Sequence, residues 1–163
     1  MIDVHMTVLY RILKAAQSYL KKFHSQEKEA GTEVYRKVVI VSSVSDLNGN
    51  PGQLAYSATK AGVVGMTKTL CKEWGRYNVN AVAFGFIQTR LTADVSDEST
   101  INVQGHEIKV GVSDQVLQMV EAMSPLGRPG TPKEAADAVY LFCLPESNYI
   151  GGQTVVADGG FEL

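Results

Sequence analysis

The sequence predicts an α/β domain built on a parallel sheet. Three observations predict it. Val38-Val39-Ile40-Val41 is a short, unbroken β-branched run, the texture of a strand buried on both faces of a parallel sheet. Helical periodicity precedes and follows it, and further strand patterns recur near Val79 and Gln153, so that strands and helices alternate. The 163 residues are 45% hydrophobic and 20% charged, enough apolar material for one ordinary core. A single domain over residues 1–163 is the expectation.

Each element has its own warrant. From Val4 to Phe23 the apolar residues Val4, Val8, Leu9, Ile12, Leu13, Ala16, Leu20 and Phe23 recur at three and four, which predicts an amphipathic helix. His24 to Lys37 is polar and mostly charged, with Gly31 as a breaker, and predicts an exposed connector. The strand Val38 to Val41 ends in Ser42-Ser43. Turn formers fill Asp46-Leu47-Asn48-Gly49-Asn50-Pro51-Gly52, and a second helix then runs from about Tyr56 to Trp74. Ala58, Ala61, Gly62 and Gly65 lie inside it. An interior glycine costs a helix about 1 kcal/mol against alanine, so these small residues predict close packing. Val79 to Phe84 reads as a second strand. Gln88 to Val112 is polar and irregular, with Gly105 and Gly111, and Asp114 to Met123 is a short helix. At Thr131-Pro132-Lys133-Glu134 a capping threonine, a first-turn proline and a capping-box glutamate start a further helix, which runs to about Cys143. Gln153 to Ala157 is the last strand, closed by Asp158-Gly159-Gly160.

The bulk properties exclude several roles. A formal net charge of -2 and a pI near 5.9 supply no basic field for nucleic acid or an anionic membrane surface. No window has the 18 or so apolar residues that span a bilayer, and the first residues lack a basic-then-apolar leader pattern. The only cysteines, Cys71 and Cys143, lie in apolar helical runs and suit a reducing compartment. A soluble, cytoplasmic protein is expected. His5, His24, His106 and the cysteines show no metal-ligand spacing, so no metal site is expected.

The chemistry concentrates near Tyr56. Tyr56 and Lys60 lie four apart at the start of a helix and therefore share a face, one turn from each other. With seven tyrosines in the chain such a pair is ordinary by itself, and the plain alternative is a solvated helix face. Position sharpens it: Ser43 lies 13 residues earlier, directly after a strand, and open parallel sheets place their sites at the carboxyl ends of strands.

Val41-Ser42-Ser43-Val44, then Gly49-Asn50-Pro51-Gly52-Gln53 and Tyr56-Ser57-Ala58-Thr59-Lys60-Ala61-Gly62, resemble the active-site region of short-chain dehydrogenases/reductases, especially those similar to 3-oxoacyl-acyl-carrier-protein reductases. The resemblance implies an NAD(P)-dependent oxidoreductase that reduces a small ketone. Hydride addition builds negative charge on oxygen, which needs a proton donor within about 3 Å. The resemblance gives that role to Tyr56. A lysine ammonium stabilises a neighbouring phenolate, and Lys60 would do so while holding the nicotinamide ribose. Ser43 would hydrogen-bond the carbonyl oxygen, with Gln53 also on the substrate. Asn80-Ala81-Val82-Ala83-Phe84-Gly85-Phe86-Ile87-Gln88-Thr89 resembles the segment that meets the nicotinamide amide, which marks Gly85, Ile87 and Thr89 as cofactor residues. Taken alone, this stretch is a plain buried strand and turn. Pro125-Leu126-Gly127-Arg128-Pro129-Gly130, Tyr149-Ile150-Gly151-Gly152-Gln153 and Asp158-Gly159-Gly160 resemble the family's C-terminal signature, which serves packing and subunit contact.

The sequence also departs from that pattern. Phe84 stands where the family has proline, and His5 where it usually has an asparagine, although a lone helical histidine is more often a surface or interface residue. Between Glu73 and Asn80 the chain is two residues short, so helix end or strand must shift. No Gly-x-x-x-Gly-x-Gly turn, the usual cradle of the dinucleotide phosphates, precedes Gly49. The expectation is therefore a partial Rossmann-like, doubly wound parallel sheet missing its N-terminal strands, about two-thirds of a member of about 250 residues. NADP or NAD is the expected cofactor and a small carbonyl compound the substrate. A homo-oligomer, or association with full-length subunits, is the expected assembly. The alternatives are a non-catalytic fragment that only associates with full-length subunits and an unrelated α/β binding domain.

Overall fold

The computed structural model describes residues 1–32, 34–92, 100–103 and 105–161. A π-helical turn, Asp3–Thr7, opens directly into α1, Val8–Glu29. The helix thus absorbs His24–Glu29, which were expected in a connector. Glutamine, lysine and glutamate are good helix formers, and Glu27 is fixed by a two-pronged ion pair with Arg36, one arm being 2.7 Å long. Gly31, at φ 67, stops the helix. The Gly31 and Thr32 N–H groups donate to the Lys28 and Glu27 carbonyls, the paired bonds of a glycine-ended helix.

Three parallel strands form the main sheet in the order β1 (Arg36–Ser43), β2 (Tyr77–Phe84), β5 (Thr154–Ala157). Arg36 and Lys37, expected in the connector, belong to β1. The register sets Val38 beside Val79 and Ser43 beside Phe84, and Ala81 beside Thr154. The strand buried on both faces is β2, where Val79, Ala81, Val82 and Ala83 have no exposure. β1 lies at the edge with Val41 49% exposed. A β-branched run identifies a strand, but how many neighbours it has depends on the rest of the chain. Asn80 is buried in β2 yet satisfied. Its amide donates to the Ile150 carbonyl at 2.8 Å and its oxygen accepts from the Gln153 N–H at 3.0 Å, tying β2 to the turn that precedes β5.

α2, Leu54–Trp74, connects β1 to β2. Its Val63 and Trp74 join Leu13 of α1 and Ile40, Tyr77, Val79 and Ala81 of the sheet in one core. Gly62 is a close-packing position: a Cβ there would lie 3.0 Å from Met6 Cε of the π turn, whereas Gly65 faces open space. The link from α2 to β2 is a single tight turn. Gly75 takes φ 60 and ψ -49, and the Arg76 N–H donates to the Trp74 carbonyl at 2.6 Å. This is a γ-turn of the rare, strained hand, and it delivers Tyr77 straight into β2.

Beyond β2, the segment expected to be irregular contains an antiparallel hairpin, β3 (Thr100–Val103) and β4 (His106–Lys109). The Thr100-Ile101-Asn102-Val103 alternation is short enough to be lost among polar neighbours. α3 spans Asp114–Met123 as expected. α4, Pro132–Leu141, starts at the expected capping box and stops two residues before Cys143. There the Phe142 and Cys143 N–H groups turn to the Val139 and Tyr140 carbonyls.

Candidate active site

The carboxyl end of β1 builds the site. β1 runs into Ser43, and its hydroxyl oxygen accepts from the Ser45 N–H at 3.3 Å, capping a 3-10 turn, Val44–Asp46. Ser45 Oγ in turn reaches Gln53 Oε1 at 3.5 Å, so the two residues expected on the substrate are linked through a third. Turn formers then carry the chain to α2, where Tyr56 and Lys60 occupy the first and second turns. Lys60 Nζ sits 5.6 Å from the centre of the Tyr56 ring and donates to the Val41 carbonyl at 3.1 Å. Burial pushes the Lys60 ammonium below the usual lysine value, and the Asp46 carboxylate pushes it back up. Among the described residues the Tyr56 hydroxyl has no hydrogen-bond partner. A cavity of about 210 Å3 opens beside Tyr56, Ala55, Gln53 and Gly52.

Gly85, Ile87 and Thr89 follow the next strand end, which the register places beside Ser43. Gly85 is held by packing: a Cβ there would lie 2.5 Å from Asp158 Cβ, and its N–H donates to the Ala157 carbonyl at 3.2 Å. Ile87 bridges to Gly130 in a parallel pair. The Thr89 N–H donates to Thr92 Oγ1 at 2.7 Å, which fixes an exposed turn. Phe84, Phe86, Ile87, Leu126 and Asp158 enclose a second cavity of about 160 Å3 there, with Phe84 supplying an apolar wall.

Two contributors were not singled out from the sequence, and a third, His5, was noted there but left out of the catalytic set. Ser42 Oγ donates its one proton to Asp46 Oδ2 and lies 3.3 Å from the Lys60 carbonyl oxygen. Asp46 had counted only as a turn former. His5, set aside as a surface residue, stands edge-on to the Tyr56 ring with centroids 5.6 Å apart. Burial lowers its pKa, with Lys60 and the chain's amino group adding to the effect. Among the described residues no cluster of His, Cys, Asp and Glu could hold a metal ion.

A nicotinamide dinucleotide can be tested against these residues. Lys60 has spent one of its three N–H bonds, and among the described residues the Tyr56 hydroxyl has no partner, so donors remain for a ribose and a carbonyl. The nicotinamide end fits. The turn formers before Tyr56 contain no Gly-x-x-x-Gly-x-Gly loop for the phosphates.

The fold is that of the Rossmann-like α/β proteins. At a TM-score of 0.73 and 22% identity, 98% of the chain superposes on 57% of a 4-hydroxyisoleucine dehydrogenase solved in complex with NADH. A family model described as enoyl-(acyl carrier protein) reductase matches residues 1–162, and the chain belongs to the short-chain dehydrogenase/reductase family. It is 41% identical to the 3-oxoacyl-(acyl-carrier-protein) reductase of Aquifex aeolicus over 126 residues, 76% of this chain and 44% of that protein. It is 35% identical to the corresponding reductase of Synechocystis sp. over 165 residues, 99% of this chain and 55% of that protein. The chain thus spans about half the length of the curated relatives it matches.

Proposed function

We propose that residues 1–163 form one domain carrying the carbonyl end of an NAD(P)-dependent reductase, which converts a 3-oxoacyl-thioester-like or other small ketone to an alcohol. The observation that carries this is Lys60 Nζ lying over the Tyr56 ring beside the strand end that bears Ser43. A bound reduced nicotinamide supplies the hydride. Ser43 Oγ and the Tyr56 hydroxyl hold the carbonyl oxygen, and Tyr56 gives it the proton as its charge grows. Lys60 holds the ribose and places positive charge next to the phenol. Gly85, Ile87 and Thr89 border the nicotinamide amide, and Gln53 borders the substrate.

The test is Tyr56→Phe in a form extended upstream by the phosphate-binding half found in the family. Ketone-dependent NADPH oxidation should fall at least about 100-fold, the usual contribution of a positioned acid, while nucleotide affinity stays within about twofold. Turnover within threefold of the parent would assign the acid to another group.

A chain that associates with full-length subunits without turning over is favoured by a different observation. The edge of β1 is open, and a groove of about 380 Å3 floored by Leu13, Met66, Leu70 and Trp74 lies between α1 and α2. Nucleotide binding separates the two functions.

A further inference from the structure

Helix α1 carries more apolar surface than its place against the sheet uses. Leu9, Leu13 and Leu20 pack on the core. Val8, Ile12 and Tyr19 each stand one residue before one of these, about 100° round the helix. With Phe23, and with Val4 of the π turn, they make a stripe of side chains 45% to 68% exposed. Arg36 lies over one face of the Phe23 ring and still leaves it about half exposed. The groove against α2 is on the other flank, where Tyr10 and Lys14 stand one residue after the core positions. Single exposed apolar side chains are ordinary, but a continuous row marks an interaction surface.

The stripe matches itself. In two antiparallel α1 helices related by a two-fold axis at the level of Leu13 and Lys14, Val4 meets Phe23, Val8 meets Tyr19 and Ile12 meets Ala15, because each pair is centred on the same point of the sequence. Every contact sets a smaller side chain against a larger one, so the two helices keep an even separation. A parallel pair would stack Tyr19 on Tyr19 and Phe23 on Phe23 at one end and leave a gap at the valines. The antiparallel order also brings each helix amino end beside the other's carboxyl end, which suits the helix dipoles. Half-exposed side chains of these sizes offer roughly 500 Å2 per copy, so a pair buries about 1,000 Å2, the lower limit of a specific interface.

We propose that this outer face of α1 is a dimer interface covered by a second copy of the chain, helix against antiparallel helix. Self-matching about one point is what a two-fold homodimer requires and what an unrelated partner does not. The face takes no part in the proposed reduction.

Sedimentation velocity of the 163-residue chain from about 1 to 200 µM is the test, and an interface of this size should give a dimer with a micromolar Kd. Val8→Glu and Tyr19→Lys, both at exposed positions, should each raise the Kd at least about tenfold by placing a charge against an apolar side chain, with unchanged circular dichroism. Mixed in equal amounts, the two variants should associate again, because the antiparallel order sets the new carboxylate of one against the new ammonium of the other. Lys14→Glu, on the groove flank, should leave the Kd within about twofold. A chain that stays monomeric at the highest concentration overturns the proposal, as does a dimer that Val8→Glu and Tyr19→Lys leave intact. A mixture that fails to associate, or a loss confined to Lys14→Glu, overturns it as well.

Discussion

At the scale of single residues, the site turns on a lysine that the fold buries. Its folded pKa lies below the unfolded one, so between the two values the unfolded chain holds a proton that the folded chain has released. Stability contributed through Lys60 therefore rises with pH across that window, which ends near the unperturbed value of about 10.4. The penalty for burying the charge is fully present below it. Urea denaturation at a series of pH values should show this rise in the parent chain and lose it in Lys60→Met; parallel curves for the two would contradict it. Ser43, Tyr56 and Lys60 stood out in the sequence because spacings that are ordinary singly, one from a strand end and one along a helix face, together resemble one family pattern. Asp46 was not legible as a partner of Ser42, because it sits in a turn whose residues all have a conformational reason to be there; His5 was visible as a departure from the family pattern, but its edge-on contact with the Tyr56 ring joins residues that no local spacing connects.

At the scale of elements, the helices and strands followed from periodicity, and their ends were set by local chemistry that periodicity does not contain. α1 overran its apolar pattern until Gly31, whose positive φ completes the paired bonds at the helix end. After α2 ends at Trp74, a γ-turn at Gly75, open to a residue without a Cβ, leads directly into β2. Gly75→Ala should accordingly destabilise the chain by about 1–3 kcal/mol, read as a lower urea midpoint at unchanged slope. Gly65→Ala on the same helix, with open space where the methyl would go, should be neutral or slightly stabilising. Equal losses at both glycines would mean that the turn carries no special strain.

At the scale of the whole molecule, the same sheet end gathers Ser43, Tyr56, Lys60 and Gly85, while among the described residues no strand pairs with the outer side of β1, which offers a row of backbone groups. The 163-residue chain should bind dinucleotide poorly, because its donors reach only the nicotinamide end. That edge should also promote self-association or docking on another subunit. Titration with NADPH fluorescence and size-exclusion chromatography check both halves; micromolar affinity in a clean monomer would contradict them. The central position of β2 has a kinetic meaning as well. Val38 pairs with Val79 and Ala81 with Thr154, so each side of the strand is closed by a partner far along the chain, the second at almost twice the separation of the first. Loop-closure entropy is spent before either ladder repays it, and β5 has the longer search. Until it arrives, Asn80 lacks both of its hydrogen-bonded neighbours, and β2 is a second bare edge. Docking of the last strand is therefore expected to follow the β1–β2 pairing, and the interval before it docks is where refolding chains are expected to aggregate.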